Sequence, residues 1–185
     1  MQMLVKRARR GDAEAFVELM DSCIRSMYRV AKGFFQCEDD VADVKAETVL
    51  LAYEHISELK NVSHFKTWLI RILINSCNRL KREQKKYELV GEERETGYIE
   101  NSYSDLEFRE MISAYPEDCQ MILLLYYGER FTTREIAEVL GMNENTVRSK
   151  LRRTRENLRD SILFTVYKNI DCGGRIVWSN IRKTS

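Results

Sequence analysis

Hydrophobic residues recur at helical spacing over most of the first 86 positions. Between Asp12 and Phe34 they fall three or four residues apart, which predicts one long amphipathic helix with Asp12 as its N-cap. The same spacing returns from about Asp39 to His55 and from Phe65 to about Lys86, and residues 3–8 allow a short helix before the first. With one proline and eight glycines to interrupt helices, the chain is predicted to be all-α.

The stretch from Phe131 to Arg159 predicts two helices joined by a tight turn. Thr132 and Glu135 have the spacing of a capping box, in which each side chain bonds an unpaired backbone N–H of the first turn. Gly141 suits the left-handed residue that ends a helix, and Asn143 can cap the helix that follows. The pattern therefore indicates a helix-turn-helix.

The second of these helices has one apolar and one basic face. Val147, Leu151, Leu158 and Ile162 share the inner face by their spacing. The outward positions are polar or basic: Asn145, Thr146, Arg148, Ser149, Arg152, Arg153 and Arg155. A helix-turn-helix with outward arginines is typical of DNA-binding proteins, and the plain alternative is a helical hairpin with a solvated basic face.

The helices predicted at about Asp39–His55 and Phe65–Lys86 carry opposite charges. Between positions 38 and 58 there are seven acidic residues, and Lys45 is the one Lys or Arg. This composition predicts that the helix has either a solvated surface or a surface that binds a basic protein. From 57 to 86 there are eight Lys or Arg against two acids, with Asn75 and Asn78 interleaved. A basic helix with amides suits a nucleic-acid strand, while the spacing of Trp68 favours a core aromatic.

Helical periodicity is lost between residues 87 and 104, where two glycines and five glutamates occur. We predict a flexible acidic linker there, between a first domain at 1–86 and a second at 105–164. The second domain is expected to open with a short helix after Ser104 or Asp105, followed by a helix from Glu117 to Tyr127 that Gly128 ends. The tail, residues 165–185, either turns a small hairpin at Gly173-Gly174 or is disordered.

Several classes of function find no support in the composition. The five cysteines form no CxxC or Cys/His cluster, and neither a GxxxxGK[ST] nor an HExxH motif occurs. The longest apolar run is too short to span a bilayer and no signal peptide is evident, so we expect a soluble cytosolic protein without membrane insertion. We predict no catalytic group, metal, cofactor or small-molecule substrate. A metal-dependent hydrolase is a further alternative. Its metal would have to be bound by Asp39, Asp40, Asp43, Glu47 and His55, and no second ligand cluster elsewhere in the sequence would complete the site.

The order of these motifs resembles a known family. An acidic helix is followed by a basic helix opening FKTWLIRILIN, an acidic linker, a Pro-started helix and EIAEVLGMNENTVRSKLRRTRENL. From about Leu4 to Leu163 the chain resembles the extracytoplasmic-function (ECF) group of the sigma-seventy family of bacterial transcription initiation factors. The resemblance implies two helical domains that bind core RNA polymerase and promoter DNA, and an anti-sigma factor that covers both surfaces.

The resemblance also assigns roles to residues of this sequence. Polymerase docking would use Asp40, Asp43, Glu47 and Thr48, although Ala46 and Val49 stand where the family motif has Gln and Phe. Recognition and opening of the −10 element, with an unstacked base held beside the loop, would use Asn61, Ser63, Lys66, Trp68, Arg71, Asn75, Asn78 and Arg79. Reading of the −35 element would use Asn145, Thr146, Arg148, Ser149, Arg152 and Arg153. A stand-alone helix-turn-helix regulator is the alternative, but it leaves the acidic helix and the basic helix of the first domain unexplained.

Overall fold

The computed structural model describes residues 1–88 and 112–168, with side chains up to Lys86 and from Ile112 to Arg159 apart from Leu158. The N-terminal part, residues 1–88, contains four α-helices: α1 (Gln2–Ala8), α2 (Ala13–Lys32), α3 (Glu38–His55) and α4 (Phe65–Glu88). Short 3-10 turns at Ile56–Glu58 and Val62–His64 connect α3 to α4. In the C-terminal part, residues 112–168, lie α5 (Glu117–Leu123), α6 (Thr133–Leu140) and α7 (Glu144–Lys168). The all-α prediction is confirmed, since no strand occurs in either range.

The helix boundaries form where the sequence has capping residues. The Asp12 carboxylate accepts a hydrogen bond from the backbone N–H of Ala15 at 3.0 Å, as predicted for an N-cap. Thr132 and Glu135 form both halves of the capping box. Asn143 Oδ1 accepts from the backbone N–H of Asn145 at 2.8 Å, and Gly141 has a φ of 63° at the end of α6. These predictions are confirmed. Each cap depends on hydrogen bonds between residues that are close in sequence, so it can be predicted without the tertiary structure.

The left-handed residue at the turn of the helix-turn-helix gives a stability prediction. A Cβ at Gly141 would have no atom within 4 Å, so a substitution there tests backbone strain alone. We expect Gly141→Ala to lower the free energy of unfolding by about 1–2 kcal/mol. Gly141→Asn, whose side chain tolerates this conformation better, should lower it by less. Urea denaturation measures both, and equal loss from the two variants would contradict the argument.

Three helix ends differ from the prediction. Helix α4 runs two residues past position 86, into the segment predicted as linker, and the rest of that segment lies outside the described residues. Helix α7 continues to Lys168, so Val166 to Lys168 are helical rather than part of a hairpin strand. No proline or glycine occurs between Met142 and Cys172 to end this helix. The rest of the tail, residues 169–185, and the short helix expected after Ser104, up to position 111, also lie outside the described residues.

The third difference lies at the end of α5. The predicted helix to Tyr127 stops being α-helical after Leu123 and closes as a wider π-helical turn over Leu124–Gly128. The N–H of Glu129 then bonds the carbonyl of Leu124 at 3.1 Å, one residue farther back than in an α-helix. Arg130 follows with a φ of 61°, an uncommon value for a residue with a side chain. The chain thus reverses sharply, and Glu129 lies inside the protein.

One apolar core extends across both parts of the chain. Helices α2, α3 and α4 pack together around fully buried residues such as Leu19, Met27 and Leu73, while α6 packs against α4. Gly33 lies where the two parts approach each other closely, because a Cβ there would lie 2.8 Å from Cε of Met121 and 3.4 Å from Cδ2 of Leu124. The C-terminal part therefore packs directly on α2 and α4.

Two of the five cysteines lie in the core of the N-terminal part. Cys23 and Cys77 are free thiols with at most 2% of their surface exposed. Burial raises the pKa of the Cys77 thiol to about 12, so it stays protonated at neutral pH. These thiols are packing residues of the N-terminal part.

Candidate nucleic-acid interface

Helix α4 presents a polar stripe on its exposed side. Arg71, Asn75, Asn78 and Arg79 recur at three- and four-residue spacing, and the two asparagines are exposed. We call these four residues the strand face. The opposite side of the helix is apolar, with Phe65, Leu69, Leu73 and Cys77 buried in the core. Burial of that side fixes the outward direction of the strand face.

The loop before α4 is held by its own side chains. Asn61 Oδ1 accepts hydrogen bonds from the backbone N–H of Ser63 at 3.0 Å and from its hydroxyl at 2.7 Å. Both residues are exposed next to the N-terminal end of α4. Trp68, one turn into the helix, is half-buried with its ring centroid 5.8 Å from that of Phe65. Trp68 thus packs against the core, as its spacing predicts, while part of its surface faces solvent.

Two of the predicted −10 residues turn toward other charged groups of the chain. Lys66 Nζ lies 2.9 Å from Oε2 of Glu129 and donates to the backbone oxygen of the same residue at 3.0 Å. Arg71 Nη1 lies 3.1 Å from Oε1 of Glu138, on α6. The tertiary structure therefore brings these two cations against carboxylates of the C-terminal part.

The acidic helix α3 exposes only some of its predicted docking residues. Asp43 is exposed, and Asp40 and Glu47 are partly exposed. Thr48 has none of its surface exposed, and its hydroxyl donates to the carbonyl of Val44 at 2.6 Å. Thr48 therefore belongs to the core of the N-terminal part and does not reach the surface. We call Asp40, Asp43 and Glu47 the acidic face.

The acidic face and the strand face meet at one ion pair. Glu47 accepts a hydrogen bond from Arg79, which also lies 4.0 Å from Glu83 on the next turn of α4. The resemblance assigns Glu47 to polymerase docking and Arg79 to the −10 element, so the two predicted sites adjoin. Packing of α3 against α4 brings Glu47 and Arg79 together. The two residues are 32 positions apart in the sequence, so the sequence alone does not show that they are neighbours.

Helix α7 places its predicted −35 residues outward. Asn145, Thr146, Arg148, Arg152 and Arg153 are exposed and form what we call the reading face, while Ser149 is partly buried and donates to the carbonyl of Asn145 at 2.7 Å. Val147 and Leu151 are buried beneath it, as predicted. The predicted core positions Leu158 and Ile162 lie outside the described side chains.

Two contacts that the sequence did not predict hold the reading face in place. Glu144 accepts from Thr133 at 2.9 Å and from Arg148 at 2.6 Å, and these bonds lower the pKa of its carboxyl. Lys150 Nζ lies 2.5 Å from Asp118 on α5, a bond that raises the pKa of the lysine and lowers that of the aspartate. Helix α7 is thereby tied to α6 at its start and to α5 nearly two turns later.

Glu129 is the main residue that sequence reasoning missed. Only 2% of its surface is exposed, although a glutamate is ordinarily assigned to the surface. Burial raises the pKa of its carboxyl, but hydrogen bonds from Ser26, Lys66 and Arg29 outweigh burial and lower it below the usual value. The only local signal is its position between two buried residues, Leu125 and Phe131.

The described residues contain no group of three or more His, Cys, Asp or Glu side chains that could hold a metal ion. Asp43 and Glu47 share one side of α3, and Glu47 is bound by Arg79. No helix within the described ranges is long and apolar enough to cross a membrane.

Comparison with known proteins identifies both parts of the chain. The family model for sigma-70 region 2 matches residues 19–87, and that for sigma-70, region 4 matches residues 105–158. The chain is 28% identical over 148 residues to the RNA polymerase sigma factor SigV of Bacillus subtilis, covering 76% of this chain and 89% of SigV. It is 29% identical over 181 residues to the ECF RNA polymerase sigma-E factor of Escherichia coli K12, covering 87% of this chain and 93% of that factor.

Two solved structures share the fold. CnrH, in complex with the cytosolic domain of CnrY, superposes with a TM-score of 0.64 at 21% identity, covering 87% of this chain and 96% of CnrH. The sigma factor RpoE of Bartonella quintana, in complex with the anti-sigma factor NepR, superposes with a TM-score of 0.66 at 20% identity, covering 78% of this chain and 94% of RpoE. With regions 2 and 4 matched in order and ECF factors among its relatives, the chain belongs to the sigma-70 family as an ECF sigma factor.

Proposed function

We propose that this sigma factor divides promoter recognition between the strand face of α4 and the reading face of α7. The observation that supports this proposal is that the two faces are exposed on different parts of the chain and have different types of side chain. The strand face combines two arginines with two amides, which suits the phosphates and unstacked bases of an opened −10 element. The reading face lies on a helix-turn-helix, whose second helix fits the major groove of duplex DNA at the −35 element.

Base reading at the −35 element is assigned to the outward arginines of α7. Arginine pairs bidentately with the O6 and N7 of guanine, and each such pair discriminates against the wrong base by about 1–3 kcal/mol. Arg152 and Arg153 are exposed, whereas Arg148 is also bonded to Glu144 and is therefore held in a fixed direction. These three residues supply sequence preference, and Asn145, Thr146 and Ser149 position the helix.

Strand capture at the −10 element is assigned to α4 and the loop before it. Asn61 and Ser63 are exposed in the loop, and Trp68 offers a half-exposed aromatic surface one turn into α4. Flipping a base out of the duplex costs a few kcal/mol, which stacking and phosphate contacts can offset. Opening of the promoter then needs no catalytic residue of this chain, and we infer that the protein is not an enzyme.

The acidic face of α3 is proposed to bind core RNA polymerase. Asp43 is exposed at its centre, and acidic side chains steer binding toward a basic partner surface. We also infer an anti-sigma factor as a partner, because RpoE of Bartonella quintana, which shares this fold, was solved with one. Bacterial RNA polymerase transcribes DNA in the cytoplasm, so we propose that this protein acts there.

Run-off transcription tests the proposed function directly. Purified bacterial core polymerase, with and without this protein, is given a pool of promoter fragments from the genome that encodes the chain. We expect discrete new transcripts only when the protein is present, and their upstream sequences should share two separated elements. Transcripts without any shared upstream element would contradict promoter recognition by these faces. Shifts of duplex DNA by the protein without polymerase, with no new transcripts, would favour a stand-alone regulator.

A further inference from the structure

Three polar side chains contact one another where α6 and α7 begin. The hydroxyl of Thr133, the first residue of α6, donates a hydrogen bond to Oε1 of Glu144 at 2.9 Å. Arg148 Nη2 donates to the same carboxylate oxygen at 2.6 Å, and its Nε faces the Thr133 hydroxyl at the longer distance of 3.5 Å. Each residue therefore contacts the other two, and we call Thr133, Glu144 and Arg148 the polar ring.

The polar ring uses one edge of the Arg148 guanidinium. A guanidinium is planar, with Nε and Nη2 along its side edge and Nη1 and Nη2 along its end edge. Both contacts of the ring lie on the side edge. Within the described part of the chain Nη1 has no hydrogen-bond partner, and 63% of the side chain is exposed. Because Nη2 carries two hydrogens, the end edge keeps a donor on each nitrogen.

The partners of Arg148 are themselves held in place. Thr133 is partly buried, and it follows Thr132, whose capping box with Glu135 fixes the start of α6. The side chain of Glu144 is 34% exposed, and the hydrogen bonds from Thr133 and Arg148 lower the pKa of its carboxyl. The carboxylate is therefore ionised at neutral pH, and the ion pair with Arg148 is present under the conditions of transcription.

An arginine without such partners has a strong alternative to reading a base. Phosphates line both sides of the major groove, and a long cationic side chain that binds one contributes affinity but no sequence information. Reading guanine instead requires two parallel N–H donors aimed at O6 and N7. A carboxylate on the side edge competes with phosphate for the guanidinium and reduces the conformational freedom that the arginine loses on binding.

We propose that Glu144 is a positioning residue for −35 recognition: with Thr133 it holds Arg148 by the side edge, so that the end edge is presented to a guanine rather than to a phosphate. The inference rests on the proposed function of the reading face and adds a residue that need not touch DNA. The plain alternative is that Glu144 only stabilises the start of α7, through its negative charge at the positive end of the helix dipole.

The experiment measures discrimination at each base pair of the −35 element. Core polymerase reconstituted with the full-length protein transcribes a promoter library randomised there, and discrimination is the ratio of transcripts from the best and the worst base. Arg148→Ala locates the base pair that Arg148 reads, where we expect a loss of about 5- to 150-fold. Glu144→Ala should lose at least about 5-fold at the same base pair, the lower end of that range.

Three further variants separate positioning from a structural role. Glu144→Asp keeps the charge at the start of α7, but it is one methylene too short to reach both partners, so it should lose discrimination as Glu144→Ala does. Glu156→Ala removes another exposed carboxylate of α7 and should leave discrimination at this base pair unchanged. Glu144→Ala combined with Arg148→Ala should lose no more there than Arg148→Ala alone, because the two residues act through one contact.

Every other outcome overturns the inference. A Glu144→Ala protein that transcribes all library members less, with their ranking kept, has lost only stability. Wild-type discrimination by Glu144→Asp would assign Glu144 to the helix dipole. If Arg148→Ala flattens one base pair and Glu144→Ala does not, positioning fails while the proposed reading of the −35 element stands. If wild type shows no preference in this library, or Arg148→Ala changes none, that proposed reading fails first and the inference falls with it.

Discussion

Replacing Asp43 and Glu47 together by lysine is expected to weaken binding to core RNA polymerase by at least about 100-fold. The change reverses two charges on the acidic face, and a like-charge contact across an interface costs several kcal/mol, with each 1.4 kcal/mol equal to a factor of ten in affinity. Neither residue is fully buried, so the helical fold should survive. Titration of labelled core polymerase with wild type and the double variant measures the loss.

Two controls separate docking from other effects of the charge change. Glu18→Lys with Asp21→Lys adds the same charge to exposed positions in the middle of α2 and should bind polymerase like wild type. Glu47 is also bonded to Arg79, so reversing its charge disturbs that contact as well as docking. Asp43→Lys alone leaves the contact in place and should still show most of the loss of binding. If the double variant still co-purifies with core polymerase at wild-type yield, α3 is not the docking surface.

Arg152→Ala is expected to relax sequence preference at one position of the −35 element by about 5- to 150-fold, the equivalent of 1–3 kcal/mol. Arg152 is exposed on α7, and its neighbour Leu151 is anchored in the core, so the variant should fold normally. Transcription by the reconstituted polymerase from a promoter library randomised at the −35 element measures the preference at every position.

The loss of one positive charge needs its own control. Arg134→Ala removes an exposed arginine from α6, the first helix of the helix-turn-helix, and should weaken all library members alike if that arginine contacts phosphate. Arg152→Ala must instead change the ranking of sequences. A ranking identical to that of wild type would show that Arg152 is a phosphate contact or makes no contact with the promoter.

Local features of the fold could be predicted because they depend on neighbouring residues. Asp12, the Thr132–Glu135 capping box and Gly141 ended or began helices where expected, since each satisfies backbone groups within one turn. The outward direction of Arg152 and the burial of Val147 followed from a period of 3.6 residues. The π-helical turn at Leu124–Gly128 did not follow from any such pattern, since the apolar spacing up to Tyr127 fits a regular α-helix equally well.

The side of the helix on which the candidate site residues lie could be predicted, but their partners could not. The basic and amide positions of α4 share one side, as periodicity requires, yet the pairing of Arg79 with Glu47 depends on how α3 crosses α4. Thr48 matched the family motif and is nevertheless buried, because the same helix must also present an apolar side to α2 and α4. A motif match gives the position of a residue in a family, while packing decides whether its side chain is accessible.

The sequence by itself determined the helices, their caps, the opposite charges of α3 and α4, and the outward basic side of α7. Each follows from spacing and residue type within a single element. Only the tertiary structure decided that Glu129 lies inside the protein among Ser26, Arg29 and Lys66, about 100 or about 63 residues away along the chain. A buried carboxylate is stable only where donors from other elements converge on it, and that convergence depends on how α2, α4 and the turn after α5 pack together.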